Sequence, residues 1–183
     1  MLYYLHGYQS SPTSTKATLF KDTLHARPIA YRDGAPEDLV IAECLKRISK
    51  AIQDDPDVIL IGSSLGGFLA AAIALIHPNV KRLIILNPAI IPPQTNLETI
   101  KGMPQRILRD IMQSSLFEGK IPATITILRG TNDIVVPDDW VISFATAQKA
   151  TIQLFNDDHQ FSKNLHSLPG IIAELLKNKY RFY

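Results

Sequence analysis

Residues 58–68, with the sequence VILIGSSLGGF, decide the fold of this chain. Residues 58–61 are β-branched or aliphatic and predict a fully buried strand, whereas residues 68–76 are rich in alanine and predict a buried helix. Between them, residues 62–66 match the pattern G-x-S-x-G, in which a sharp turn from strand to helix lifts a serine above a sheet. This pattern makes Ser64 the candidate nucleophile.

Strand and helix patterns alternate along the rest of the chain. Apolar runs predict strands at residues 2–5, 28–31, 58–61, 82–86, 123–128 and 151–155. Helical spacing predicts helices at residues 13–25, 36–52, 65–77, 138–147 and 168–177. Alternating elements with continuously apolar strands predict an α/β fold, with a mostly parallel sheet of about six strands flanked by helices. A chain of 183 residues suits one domain.

Residues 88–122 interrupt the alternation, since they are longer than a normal connection between two strands. They contain an apolar stripe with helical spacing, made of Ile107, Leu108, Ile111 and Met112. We interpret this segment as a small helical insertion over one end of the sheet. It either forms a cap whose stripe binds the substrate or packs on the core, and the sequence leaves both interpretations open.

A nucleophilic serine needs a base to take its proton and an acid to orient that base. In α/β-hydrolases these residues follow the serine in the order Asp or Glu, then His. Asp133 follows the strand at 123–128 and His159 follows the strand at 151–155. Both therefore stand beyond the carboxyl ends of parallel strands, where such folds bind ligands. The neighbouring Asp157 and Asp158 are too close in sequence to orient His159.

Two backbone N–H groups are needed to stabilise the negative charge that develops on the substrate oxygen. One should be that of Leu65, which follows the nucleophile at the start of a helix. The second should come from the loop after the first strand, where His6 and Gly7 precede Tyr8. Gly7 permits the turn, so the Tyr8 N–H is the predicted second donor of the oxyanion hole.

Composition argues against several other classes of function. Lys plus Arg number 19 and Asp plus Glu 17, so the net charge of +2 does not favour nucleic acid as a partner. The single cysteine, Cys44, excludes an internal disulfide. The metal-binding, P-loop and dinucleotide motifs are absent, so we expect neither metal nor cofactor. Residues 58–76 are uncharged, but their glycines and serines favour a strand, turn and helix over a membrane span.

The chain resembles the YqiA-like family of small bacterial α/β-hydrolase esterases. The resemblance is carried by the motifs YLHG at residues 4–7, GSSLGG at 62–67, LNPA at 86–89 and GTND at 130–133. It implies a compact hydrolase core with carboxylesterase activity. It also implies that Ser64, Asp133 and His159 occupy the triad positions of the family. The acidic pair before His159 departs from the family, which usually has small residues there.

The expected function is hydrolysis of carboxylic esters with small or short acyl groups, through a Ser–Asp–His triad and an acyl-enzyme. Two alternatives remain: an acyl-CoA thioesterase with the same triad, and a non-catalytic binding module on the same fold. The expected partner is a small ester, without nucleic acid or membrane. The first residues lack the pattern of an export signal, so the expected location is the cytoplasm.

Overall fold

A parallel sheet of six strands organises the computed structural model, which describes residues 1–113 and 115–177. Its strands are β1 (Leu2–Leu5), β2 (Arg27–Pro28), β3 (Val58–Ser63), β4 (Val80–Leu86), β5 (Thr124–Gly130) and β6 (Thr151–Phe155). They lie in the order β2-β1-β3-β4-β5-β6, and each neighbouring pair runs parallel. The predicted α/β-hydrolase fold with a parallel sheet is confirmed.

Helices cover both faces of this sheet. They are α1 (Thr15–Leu24), α2 (Ile41–Ile52), α3 (Leu65–Ile76), α4 (Gln105–Ile111), α5 (Ser115–Glu118), α6 (Asp138–Gln148) and α7 (Leu168–Lys177). One apolar cluster joins the sheet to α2, α3, α4 and α6, and a second joins its other face to α1 and α7. Adjacent residues of β1 show the alternation, since Tyr3 belongs to the first cluster and Tyr4 to the second. Within the described residues, no helix is long and apolar enough to cross a membrane.

Two predicted helix boundaries are wrong. The helix expected at residues 36–52 is divided, because Leu39 and Val40 are extended between a short 3-10 turn (Pro36–Asp38) and α2. Leu39 is buried in the core. Helix α1 begins later than expected, and the side chain of Ser14 accepts the capping hydrogen bond from the Ala17 amide.

The insertion at residues 88–122 contains a 3-10 turn (Leu97–Thr99), α4 and α5. Its helices pack into the larger cluster, where Ile107 and Leu116 are fully buried. Arg106 ties α4 to the loop before α2 by donating hydrogen bonds to the carbonyl oxygens of Leu39 and Glu37. The insertion therefore contributes to the hydrophobic core.

The turn between β3 and α3 depends on glycines because three backbone segments crowd there. A Cβ atom at Gly62 would lie 2.3 Å from the Gly66 carbonyl oxygen. A Cβ atom at Gly66 would lie 2.1 Å from the carbonyl oxygen of Leu5 in β1. Both distances are shorter than any non-bonded contact, so only glycine allows β1, β3 and α3 to approach this closely.

We predict that Gly66→Ala lowers the free energy of unfolding by about 3 kcal/mol or more, because the strand and helix must separate to admit the methyl group. Gly34→Ala is the matched control, since a Cβ atom there meets nothing within 4 Å. It should change the free energy by less than about 1 kcal/mol. Urea denaturation compares the two, and equal effects would contradict this account of the turn.

Candidate active site

The backbone at Ser64 has a conformation that is rare for a residue with a side chain. Its φ is 54° and its ψ is −117°, between the end of β3 and the start of α3. The Ser64 amide donates to the Leu86 carbonyl oxygen at 2.9 Å, and the Ser64 carbonyl oxygen accepts from the amides of Gly67 and Ala89. These bonds hold the serine at the carboxyl end of the central strands, where it borders a cavity.

Asp133 lies in the loop after β5, with a fully buried side chain. One carboxylate oxygen accepts from the amides of Val135 and Val136 at 2.8 and 3.1 Å. The other accepts from His159 Nδ1 at 2.8 Å and from Arg129 at 2.6 Å. Burial by itself raises the pKa of Asp133, but the His159 ring and the two amides outweigh it and lower the pKa below the usual 3.8. The group is therefore an acceptor at neutral pH.

His159 lies in the loop after β6 and borders the same cavity as Ser64. Because a carboxylate only accepts hydrogen bonds, Nδ1 of the ring carries the proton that Asp133 receives. That leaves Nε2 free to accept a proton when the ring is neutral. Among the described residues, the Ser64 hydroxyl and the His159 ring share a cavity without a direct hydrogen bond.

The two acidic residues before His159 build its loop. Asp157 is fully buried and its carboxylate accepts from the amides of Asp158, Lys163 and Asn164. Burial raises the pKa of Asp157, yet the hydrogen bonds from Asn164 and from the amide of Lys163 lower it overall. Asp158 accepts from the amides of Gln160 and Ser162. Both carboxylates are thus directed at backbone N–H groups and do not orient the ring.

Asn87 connects the Asp133 loop to the His159 loop, a role that sequence reasoning missed. The residue is wholly buried after β4 and has a left-handed backbone with φ of 42°. Its side-chain oxygen accepts from the Gly130 amide at 2.9 Å. Its amide nitrogen donates to the carbonyl oxygens of Asp158 and His159, both at 3.1 Å. A polar residue directly after a buried strand was the signal that could have identified it.

Arg129 is the second positioning residue that the sequence did not reveal. It lies at the end of β5, is almost fully buried, and donates to the carboxylates of Asp133 and Asp138. It also donates to the Val136 carbonyl oxygen at 2.7 Å. A buried guanidinium with these partners fixes the Asp133 loop against the start of α6.

The loop after β1 contains Tyr8, the predicted second donor of the oxyanion hole, which borders the cavity. His6 is buried and stacks on Tyr31 with 4.2 Å between ring centres, and its Nδ1 donates to the Gly7 carbonyl oxygen at 2.8 Å. Burial lowers the pKa of His6 to about 4, so its ring is neutral and acts in holding the loop. Within residues 1–113 and 115–177, the amides of Tyr8 and Leu65 have no backbone acceptor. Tyr8 borders the cavity, whereas Leu65 is fully buried at the start of α3.

The cavity beside Ser64 and His159 has a volume of about 620 Å³. The apolar part of its wall consists of Ile91, Ile100, Met103, Leu108, Ile111, Val135, Val136 and Trp140. Two of the four predicted substrate-binding residues, Leu108 and Ile111, are among them. Ile107 and Met112 do not border the cavity, so this part of the prediction is wrong. Ile107 is fully buried in the core, because successive residues of α4 point about 100° apart, and Met112 packs against the core where α4 ends.

The described residues hold no cluster of three His, Cys, Asp or Glu side chains that could bind a metal ion. The side chains around Ser64 are arranged for acid–base chemistry by an imidazole. The arrangement places the Ser64 hydroxyl, the His159 ring and the loop residue Tyr8 around one cavity.

Comparison with known proteins places the chain in a family and a fold. Residues 1–176 match the sequence model described as "Uncharacterised protein family (UPF0227)", which is the family indicated by the sequence motifs. No curated protein matches the chain significantly in sequence.

Many solved structures share the fold. Est1E from Butyrivibrio proteoclasticus, solved with ferulic acid bound, has a TM-score of 0.77 at 18% identity and covers 97% of this chain and 88% of its own. Alpha/beta hydrolase domain-containing protein 10 from mouse has 0.73 at 19% identity, covering 98% and 90%. A monoacylglycerol lipase from Paleococcus ferrophilus has 0.70 at 17% identity, covering 96% and 93%. At these identities the likeness establishes the fold alone.

We predict that Asn87→Ala lowers the free energy of unfolding by about 2–4 kcal/mol, because the Gly130 amide and two carbonyl groups lose a buried partner. Asn132→Ala is the control, since the exposed Asn132 side chain links the same two loops through Asn156. Its loss should cost less than about 1 kcal/mol. Urea denaturation measures both, and a cost for Asn87→Ala no larger than the control would contradict the positioning role.

Proposed function

This chain belongs to the UPF0227 family, and we propose that it hydrolyses carboxylic esters of small or short-chain acyl groups with Ser64 as nucleophile. His159 is the base and Asp133 orients it. The observation that carries the proposal is the 2.8 Å hydrogen bond from His159 Nδ1 to Asp133, in the cavity that Ser64 borders. A buried carboxylate and an imidazole arranged in this way beside a serine match the requirements of acyl transfer.

In the first step, substrate binding brings the Ser64 hydroxyl within reach of His159 Nε2, which removes the hydroxyl proton as the oxygen attacks the ester carbon. The imidazolium that forms is stabilised by Asp133, which is ionised because its pKa is lowered. The ring cannot turn away easily, since Asn87 and the Asp157 carboxylate fix the backbone of its loop.

The carbonyl oxygen of the ester becomes negatively charged in the tetrahedral intermediate. The amides of Tyr8 and Leu65 are the donors that we assign to this oxygen, because neither has a backbone acceptor in the described structure. Leu65 also begins α3, so the positive end of the helix dipole adds to the stabilisation. His6 contributes indirectly by fixing the loop through the Gly7 carbonyl oxygen.

His159 then gives its proton to the departing alcohol, which leaves the acyl group on Ser64. A water molecule then attacks the acyl-enzyme while His159 takes one of its protons. His159 returns this proton to the Ser64 oxygen as the bond to the acyl group breaks and the acid is released. The chain's own side chains supply each proton transfer in this cycle. No step requires a cofactor.

The apolar wall of the cavity supports a preference for short acyl chains. Leu108 and Ile111 come from the insertion, Val136 comes from the connection before α6, and Trp140 comes from the first turn of α6. A cavity of about 620 Å³ also has to admit the alcohol part of the ester, so the space for a chain is limited.

Replacement of Ser64 tests the assignment of the nucleophile. We expect Ser64→Ala to reduce kcat on p-nitrophenyl acetate by about 10⁴-fold or more, with unchanged circular dichroism. Ser63→Ala is the neighbouring comparison, and it should lose less than about tenfold because residue 63 ends β3 rather than occupying the turn. An active Ser64→Ala enzyme together with an inactive Ser63→Ala enzyme would overturn the assignment.

A series of p-nitrophenyl esters tests the acyl pocket. We expect kcat/KM to rise about fourfold per CH₂ group over the first few carbons and then to level off or fall. Leu108→Ala should shift the preferred chain length, whereas Met112→Ala should leave it unchanged because Met112 does not border the cavity. A steady rise to long chains, or equal shifts in the two variants, would contradict the short pocket.

A further inference from the structure

One side of the cavity carries a lysine that the proposed mechanism does not use. Lys16, in the first turn of α1, is half-buried and borders the cavity together with Ser64 and His159. Its ammonium group donates to the Ser63 hydroxyl at 3.4 Å and lies 6.0 Å from the centre of the Phe161 ring. Ser63 immediately precedes Ser64, and both residues border the same cavity as Lys16.

The charge of Lys16 has no direct counter-ion within the described residues, where no carboxylate approaches it to 4.0 Å. Asp158 and Asp157 act on this charge electrostatically, but their oxygens accept from backbone amides. An ammonium group has three donors, and here it has one long hydrogen bond. Binding of an anion beside such an ammonium group is therefore favourable.

Burial lowers the pKa of Lys16 to about 8, while Asp158 and Asp157 act in the opposite direction. The side chain therefore still carries most of its charge at neutral pH. A charged lysine of this kind can bind an anion. A lysine already in a salt bridge would have its charge neutralised by its partner, and a fully buried lysine would be uncharged.

The cavity wall is polar as well as apolar. The polar residues that border it together with Lys16 include Gln9, Ser10, Ser14, Thr15, Ser63, Lys101, Gln160 and Ser162. Leu108, Ile111 and Trp140 belong to the apolar part. The cavity can thus hold an apolar group and a polar, negatively charged group of one molecule at the same time.

We propose that Lys16 and Ser63 form a carboxylate-binding subsite beside Ser64, so that the preferred ester carries a carboxylate group. A carboxylate is chosen because one ammonium and one hydroxyl group match its single charge and two oxygens. This inference rests on the proposed esterase function for the identity of the reaction, and on Lys16 and Ser63 for the class of substrate.

Two pairs of esters measure the preference. In the first, p-nitrophenyl hexanoate is compared with the mono-p-nitrophenyl ester of adipic acid, which adds a carboxylate to the acyl group. In the second, p-nitrophenyl acetate is compared with the acetate of a carboxylated p-nitrophenol, which adds it to the leaving group. We expect kcat/KM to favour the anionic ester by about tenfold or more in one pair.

Lys16→Met should abolish this preference, so that the kcat/KM values for the anionic and the neutral ester of the pair become about equal. Lys21→Met is the matched control, because it removes one exposed charge from the same helix and should retain the preference. Lys16→Arg should retain part of it. An enzyme that hydrolyses the neutral esters but prefers neither anionic ester, or a preference that survives Lys16→Met, would overturn the subsite.

Binding of benzoate separates the subsite from the reaction. We expect benzoate to raise the Tm of the wild-type protein and of Lys21→Met, but not of Lys16→Met, whereas the neutral isostere benzamide should raise none of them. If the esters are not hydrolysed and benzoate still depends on Lys16, the proposed function fails and the subsite stands. If the esters are hydrolysed and benzoate acts independently of Lys16, the subsite fails and the proposed function stands.

Discussion

The close approach of β1, β3 and α3 is the constraint on which the rest of the structure depends. Gly62 and Gly66 let the three backbones meet at distances that exclude a side chain. The chain can then turn within one residue, which places Ser64 at φ of 54° with its hydroxyl at a cavity rather than in the core. The hydrogen bond that the Ser64 amide donates to Leu86 in β4, and the one that its carbonyl oxygen accepts from Ala89, offset the cost of this conformation.

The second feature is a buried polar network that brings the loops after β4, β5 and β6 together. Asn87 bonds to Gly130 at the end of β5 and to the loop after β6, and Arg129 ties Asp133 to α6. Since each buried polar group has a partner within the network, its members reinforce one another. The carboxyl ends of the parallel strands form one edge of the sheet, and the network fixes the positions of Asp133 and His159 at that edge.

The sequence was sufficient for the fold because the strands are continuously apolar and the glycine pattern has few structural alternatives. It was sufficient for proposing Asp133 and His159 because each follows a strand in the expected order. It did not distinguish Leu108 from Ile107, since the core and the cavity wall both select apolar side chains on α4. Nor did it reveal Asn87, Arg129 or Lys16, because their roles arise from contacts between segments that are distant in sequence.

The central claim is that Ser64 is a nucleophile activated by His159 and Asp133. Treatment with a fluorophosphonate, followed by intact mass measurement and peptide mapping, tests it most directly, because the reagent reacts covalently with an activated serine and requires no knowledge of the substrate. The account predicts a single adduct per chain, on Ser64, whose formation is greatly slowed in His159→Ala. Failure to react, or an adduct on another serine, would contradict it.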